Sequence, residues 1–200
     1  MLNLDHIAIG CTYLAEGTAW VENALGVPMV AGGKHARFGT HNTLLGLADG
    51  LYLEVITKDP QAPDIGRPTW FGLDDFTGPP RLANWICAAD TLDDAPDFAG
   101  EVTNLTRDDL SWQITVPQDG SLPFDGGFPT MISWGTGVTH PSAKLPSSGV
   151  RLVTWEVVHP QADHLRATVP INDPRVSFAT GETIGFIATF KTPTGTKVLT

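Results

Sequence analysis

Residues 4–28 read LDHIAIGCTYLAEGTAWVENALGVP, a short strand that runs straight into an amphipathic helix. Leu4, His6 and Ala8 alternate with Asp5, Ile7 and Ile9, the period of a strand with one apolar face. Leu14, Trp20, Val21, Ala24 and Leu25 then fall on one stripe of a helix over residues 13–25, which Gly26 and Pro28 bring to an end. Three more strands are expected to follow: a short PMV piece, TLLGLA, and GLYLEVIT ending at Thr57. In the last, Leu51, Leu53 and Val55 share one face, and Tyr52, Glu54 and Ile56 the other. Residues 1–57 therefore spell one βαβββ module.

The pattern begins again after a Pro-rich stretch, residues 58–81, which has no period and is expected to cross the surface as a connector. Residues 82–148 predict a strand leading into a short acidic helix (LANWICAADTLDDAPDFAG), a weak strand (EVTNLTRDD), a strand alternating Trp112, Ile114 and Val116, and a last strand, FPTMISWG. The order is βαβββ once more, although the two modules share few identical residues. Residues 149–200 predict a four-stranded β extension: GVRLVTWEVVH, LRATVP, RVSFATG and TIGFIATFKTP. The expected class is α+β: two βαβββ modules forming a curled, cleft-bearing sheet, with the C-terminal extension packed on them.

Composition narrows the function. A formal net charge of −10, from 22 acidic and 12 basic residues with no cationic run, argues against a nucleic-acid partner. No apolar run approaches the roughly 20 residues needed to cross a bilayer, and Met1 leads directly into the first strand, so a cytoplasmic protein without a membrane partner is expected. Only Cys11 and Cys87 are present, in no CxxC pair, which argues against a disulfide framework or a cysteine metal site. No nucleophile elbow, phosphate loop or His-Glu-x-x-His motif occurs. His140, His159 and His164 share no spacing and receive no role.

The segment GGKHARFGTHN, residues 32–42, concentrates His35, His41, Lys34 and Arg37 in a glycine-bent stretch without clear period. Asn42 suits a left-handed turn, and Lys34 and Arg37 read as a solvated loop or as attractors of an anionic substrate.

These residues carry a resemblance. The duplicated βαβββ pattern with its opening LDHIAIGC resembles the vicinal oxygen chelate superfamily, which includes glyoxalases, extradiol dioxygenases and bleomycin-resistance proteins. Gly-Gly-x-His at 32–35 and Gly-Thr-x-Asn at 39–42, before a strand carrying Leu53-Glu54, resemble the glyoxalase-like domain group. The resemblance implies a cleft between modules and a divalent metal held from the first and fourth strands of each. His6 and Glu54 occupy the ligand positions of the first module. In the second, Trp85 and Ser133 stand there, so the conventional ligands are missing. Imidazole and carboxylate donors suit Zn, Mn, Ni or Fe. His41 is then a third donor, a substrate contact, or a residue that satisfies a backbone carbonyl.

The expected activity is that of a lyase, isomerase or oxygenase acting on a small oxygen-rich or aromatic metabolite. His6 and Glu54 serve as metal ligands or as a metal-free acid/base pair. His35, His41, Asn42, Tyr52, Trp85, Cys87 and Ser133 are expected to contact the ligand, with Trp134 as cleft wall or core. The alternative is a sequestering protein with a degenerate metal site. Members of the superfamily often dimerise, so a homodimer is expected.

Overall fold

In the computed structural model, which describes residues 1–200, strand β1 (Asn3–Gly10) leads into helix α1 (Leu14–Leu25) and strands β2 (Val30–His35), β3 (Thr40–Gly46) and β4 (Tyr52–Lys58). Helix α1 stops at Gly26, whose φ of 73° lets its N–H bond the Glu22 carbonyl. The helix lies close on the sheet because Gly17 faces β4: a Cβ there would meet Cys11 and Val55 at 2.6 Å. Strands β5 (Arg81–Ala88), β6 (Glu101–Arg107), β7 (Leu110–Val116) and β8 (Thr130–Trp134) form the second half.

All of these strands join one 8-stranded sheet in the order β2-β3-β4-β1-β5-β8-β7-β6. In each half the first strand pairs parallel with the fourth, β1 with β4 and β5 with β8. The halves meet where β1 and β5 run antiparallel. The order is thus mirrored about that central pair, as expected of a duplicated module. The outermost strands, β2 and β6, approach each other across the concave face, for Arg107 of β6 bonds His35 of β2. The fold is α+β, mostly sheet with few helices.

After helix α2 (Pro141–Lys144) comes a second sheet, ordered β10-β9-β11-β12, from β9 (Arg151–His159), β10 (Val176–Thr180), β11 (Gly185–Thr192) and β12 (Gly195–Leu199). Helix α3 (Ala162–Thr168) lies between β9 and β10. The LRATVP stretch expected as a strand belongs to α3: Ala162, Leu165 and Val169 are buried at helical spacing, not at a strand's period of two. The acidic helix expected after β5 shrinks to a single 3-10 turn at Asp97–Ala99. Pro96 and the aspartates before it favour turn geometry over a helix interior.

The missing helix explains where the C-terminal sheet goes. The convex face of β5 is apolar and needs a cover. Trp155 and Phe178 of the second sheet supply it, with ring centroids 6.4 and 6.1 Å from Trp85. Three expectations are corrected here. Trp85 pairs across from Ile7, on the face turned away from the cleft, and its Nε1–H donates to the Gly126 carbonyl at 3.1 Å. Cys87 lies on the same face, wholly buried, and burial pushes its thiol well above the usual range. Ser133 alternates with the cleft residues Ile132 and Trp134 and gives its hydroxyl proton to the Asp90 carbonyl. None of the three reaches the cleft.

The Pro-rich connector does not merely cross the surface. Trp70 and Phe71 fold inward and stack with Phe38, with ring centroids 4.3 and 4.7 Å apart along the stack and the Arg67 guanidinium over its end at 4.5 Å. Trp70 also donates to Thr40 Oγ1 at 3.1 Å. No helix is long and apolar enough to cross a membrane.

Trp85 and Trp155 are the largest side chains buried between the two sheets. Trp85→Ala is expected to lower stability by about 3–5 kcal/mol, read as a shift of the urea midpoint. A loss under 1 kcal/mol would mean that the second sheet does not depend on it.

Candidate active site

The cleft chemistry begins with an irregularity in β1. Leu4 pairs with Cys87, yet His6 pairs with Ile86, so Asp5 is an extra residue opposite β5. Such a β-bulge breaks the alternation and places two successive side chains on one face. Asp5 therefore does not join Ile7 and Ile9 on the convex face; it stands beside His6 on the concave one.

Asp5 is buried and surrounded by donors. His6 Nδ1–H donates to Oδ1 at 2.6 Å, Trp134 Nε1–H to Oδ2 at 2.9 Å, and His140 Nε2–H to Oδ2 at 3.1 Å. Burial alone would raise its pKa, but these bonds and the charge of the two imidazoles hold it well below the usual carboxylate range. His140 caps α2, and its Nδ1 accepts from the Ser142 backbone N–H at 3.3 Å, which leaves Nε2 as the donor to Asp5. Tyr52 stacks on the His6 ring at 4.2 Å, nearly parallel at 15°. Its phenol is pushed well above the ordinary value by burial and by the Asp5 and Glu54 charges.

With Nδ1 committed to Asp5, His6 turns Nε2 toward Glu54, whose Oε2 lies 3.8 Å away. That separation exceeds a hydrogen bond, and both residues line the same space. The other Glu54 oxygen, Oε1, accepts from Asn42 Nδ2 at 2.5 Å, and Asn42 Oδ1 accepts from the Gly33 N–H at 2.6 Å. Asn42 is thus a strand residue that aims Glu54, not a turn former.

The GGKHARFGTHN segment is the β2–β3 hairpin, and its alternation separates the candidates. His41 is corrected: it pairs across from Thr57 on the helix side and lines a groove with Tyr13, Thr18 and Glu22. His35 does line the cleft, where its Nε2 accepts from the Arg107 guanidinium at 3.1 Å and its Nδ1–H donates to Thr40 Oγ1 at 3.1 Å. Burial first, then the charge of Arg107, pushes its pKa down to about 3, so it is neutral at pH 7. Lys34 pairs with Asp59 at 2.7 Å outside the cleft, and Arg37 is exposed.

The wall facing His6 and Glu54 is apolar: Leu110, Trp112, Ile114, Ile132 and Trp134, with Trp70 and Phe71 alongside. The enclosed space is about 40 Å³. That is room for roughly three waters. A divalent metal usually needs about three or four protein donors. Here only His6 Nε2 and Glu54 are available, since Asp5 is taken up by its three donors; His41 is on the far side, Arg107 adds positive charge, and no three His, Cys, Asp or Glu side chains are disposed to hold one ion. The residues do not fit Zn, Mn, Ni or Fe.

Sequence reasoning missed Asp5, His140 and Arg107. One signal for Asp5 was present: aspartate is disfavoured inside an apolar strand. His140 and Arg107 come from distant segments that only folding brings near.

Comparison with known proteins agrees with this architecture. Residues 4–170 match the family model described as a glyoxalase-like domain. No curated protein matches. Among solved structures, a hypothetical protein from Staphylococcus aureus is similar at 15% identity and a TM-score of 0.62, with 92% of this chain and 88% of that chain covered. A methylmalonyl-CoA epimerase from Mycobacterium tuberculosis follows at 16% identity and a TM-score of 0.43, covering 66% and 85%. One from Streptomyces coelicolor has 16% identity and a TM-score of 0.45, covering 69% and 100%. At 15% identity the likeness to the Staphylococcus aureus protein concerns the fold alone.

Both shifted groups make the protein lose stability in acid. Below about pH 6.5 the unfolded chain protonates His35, which the folded chain resists down to about pH 3. Below about pH 3.8 unfolded Asp5 takes a proton that folded Asp5 still refuses. Urea midpoints measured from pH 7 to pH 3 are expected to fall. His35→Gln should flatten the upper part of that fall and Asp5→Asn the lower. Profiles parallel to the parent's would contradict these assignments.

Proposed function

From the premise that this chain belongs to the glyoxalase-like domain family of the vicinal oxygen chelate superfamily, we propose that it is an isomerase or lyase that moves a proton without a metal. The substrate is a small oxygen-rich or aromatic metabolite with an acidic C–H beside a carbonyl. The observation that carries this reading is the buried Asp5–His6–Glu54 array, with His6 Nε2 and Glu54 Oε2 facing one space 3.8 Å apart. Burying these carboxylates costs desolvation energy even with donors around them, and a protein that only sequestered an apolar ligand would gain nothing from it.

Each residue has a distinct task. Glu54, aimed by Asn42, takes the proton from carbon, so that the C–H electrons form the C=C bond of an enolate and the charge moves to oxygen. His6, beside Glu54 on the same side of the cleft, exchanges a proton at Nε2 with the substrate oxygen. Its ring is held by the Tyr52 stack, and any positive charge that develops on it is balanced by Asp5. Delivery of the proton to the neighbouring carbon gives an isomer; departure of a leaving group, with its bonding electrons, from the carbon next to the enolate gives a lyase product. His140 and Trp134 act as positioning residues through Asp5. An oxygenase reading needs a metal or other oxygen-activating group, and the donor set offers no place for the metal.

The test is solvent exchange. Small ketones, hydroxyketones and oxo acids are incubated with the protein in D2O, and loss of the C–H signal is followed by proton NMR. Wild type is expected to exchange at least one of them above background. Glu54→Gln and His6→Ala should each slow exchange by about 10²–10⁴-fold. Unchanged rates in both variants would remove the proposed roles.

A further inference from the structure

Arg107 is unusual among the cleft residues. It sits at the end of the edge strand β6 and crosses the mouth of the curled sheet to the opposite edge strand, β2. There its guanidinium is seated against a backbone without a side chain: a Cβ added to Gly33 would stand 2.8 Å from Nη1 and 2.9 Å from Cζ and Nε. The seat exists because residue 33 is glycine. The only hydrogen bond the Arg107 side chain makes is from Nη1 to His35 Nε2, and the burial that keeps His35 neutral means that this partner cannot balance the charge.

No carboxylate of this acidic chain comes within ion-pair distance of Arg107; Arg37, Arg67, Arg81, Lys191 and Lys197 also lack one, but Arg107 is the one lysine or arginine that lines the cleft. A guanidinium carries five N–H donors in a planar fork, and four remain here. It lines the same space as Glu54 and His6. A cation that is seated, half-buried and uncompensated has the form of an anion receptor, and the fork matches a carboxylate in bidentate geometry.

We propose that Arg107 binds the carboxylate of the substrate and so sets its class: a small oxo carboxylic acid whose C–H is presented to Glu54 while its carboxylate is held at the mouth. The class as stated rests on the acid/base reading above; the anion-binding role does not. The apolar wall of Trp112, Ile114 and Ile132 flanks the carbon skeleton between the two ends, and the narrow space restricts that skeleton to a few atoms.

Binding is measured with pyruvate and 2-oxobutanoate and with their methyl esters, by quenching of the fluorescence of the cleft tryptophans Trp70, Trp112 and Trp134. Wild type is expected to prefer each acid over its ester by 10-fold or more. Arg107→Gln should abolish that preference, and Arg107→Lys, which keeps the charge without the fork, should retain part of it. If Arg107 merely ties the sheet edges together, Arg107→Gln lowers thermal stability and weakens acid and ester equally, which overturns the proposal. Equal binding of acid and ester by wild type overturns it as well. Exchange in D2O that is as fast for esters as for acids leaves the acid/base reading standing and removes this one. Acid-selective binding lost in Arg107→Gln, with no exchange of any compound, does the reverse.

Discussion

Asp5 is a carboxylate placed where water cannot solvate it, and much of the cleft is arranged around that fact. A buried charge is tolerated only when donors surround it. The three that do so come from separate parts of the chain: His6 from β1, Trp134 from β8 and His140 from the segment after the second module. One residue therefore ties the first half of the sheet to the second and to the linker that leads into the C-terminal sheet. The same bonds fix which nitrogen of His6 faces Glu54. A bulge of a single residue in β1 is what makes this possible, by turning two adjacent side chains to the same face.

The two faces of the sheet solve different problems. On the convex side, the first half is covered by α1 and the second by the C-terminal sheet, where Trp85, Trp155, Phe178 and Phe186 pack together. The concave side keeps its charged groups at one end and closes over them with aromatic side chains from the connector. Trp70 and Phe71 reduce the space beside His6 and Glu54 to a narrow volume, which lowers the local polarisability and strengthens each electrostatic contact within it. Arg107 and His35 complete the enclosure from the sheet edges.

Much of this was legible in the residues. The period of β1, α1 and β4 announced the module, its repetition announced the second half, and the faces of Tyr52 and Glu54 followed from strict alternation. The placement of His6 was right even though the strand around it is irregular. Asn42 was singled out for its motif but for the wrong physics, since its side chain aims a carboxylate and does not bend the chain. His41 failed because the hairpin starts its regular pairing at Thr40, which sends the odd-numbered residues of β3 to the helix side. Trp85, Cys87 and Ser133 were assigned to the cleft by matching modules; the pairing register moves each of them by one residue, and one residue in a strand is the difference between its two faces.

What the sequence determined by itself was what local periodicity determines: the βαβββ order of the first half, the repetition of its four strands without the helix in the second, the apolar stripes, and the two residues, His6 and Glu54, that regular strands and a family motif present to one side. Only the tertiary structure decided the rest. The bulge that brings Asp5 to the cleft, the arrival of His140 from a distant turn, the span of Arg107 from one sheet edge to the other, and the burial that keeps His35 neutral all depend on contacts between residues far apart in the chain. Such contacts leave no period in the sequence, because the energy that selects them belongs to the desolvation and pairing of charges once the sheet has curled, and not to the propensity of any single segment.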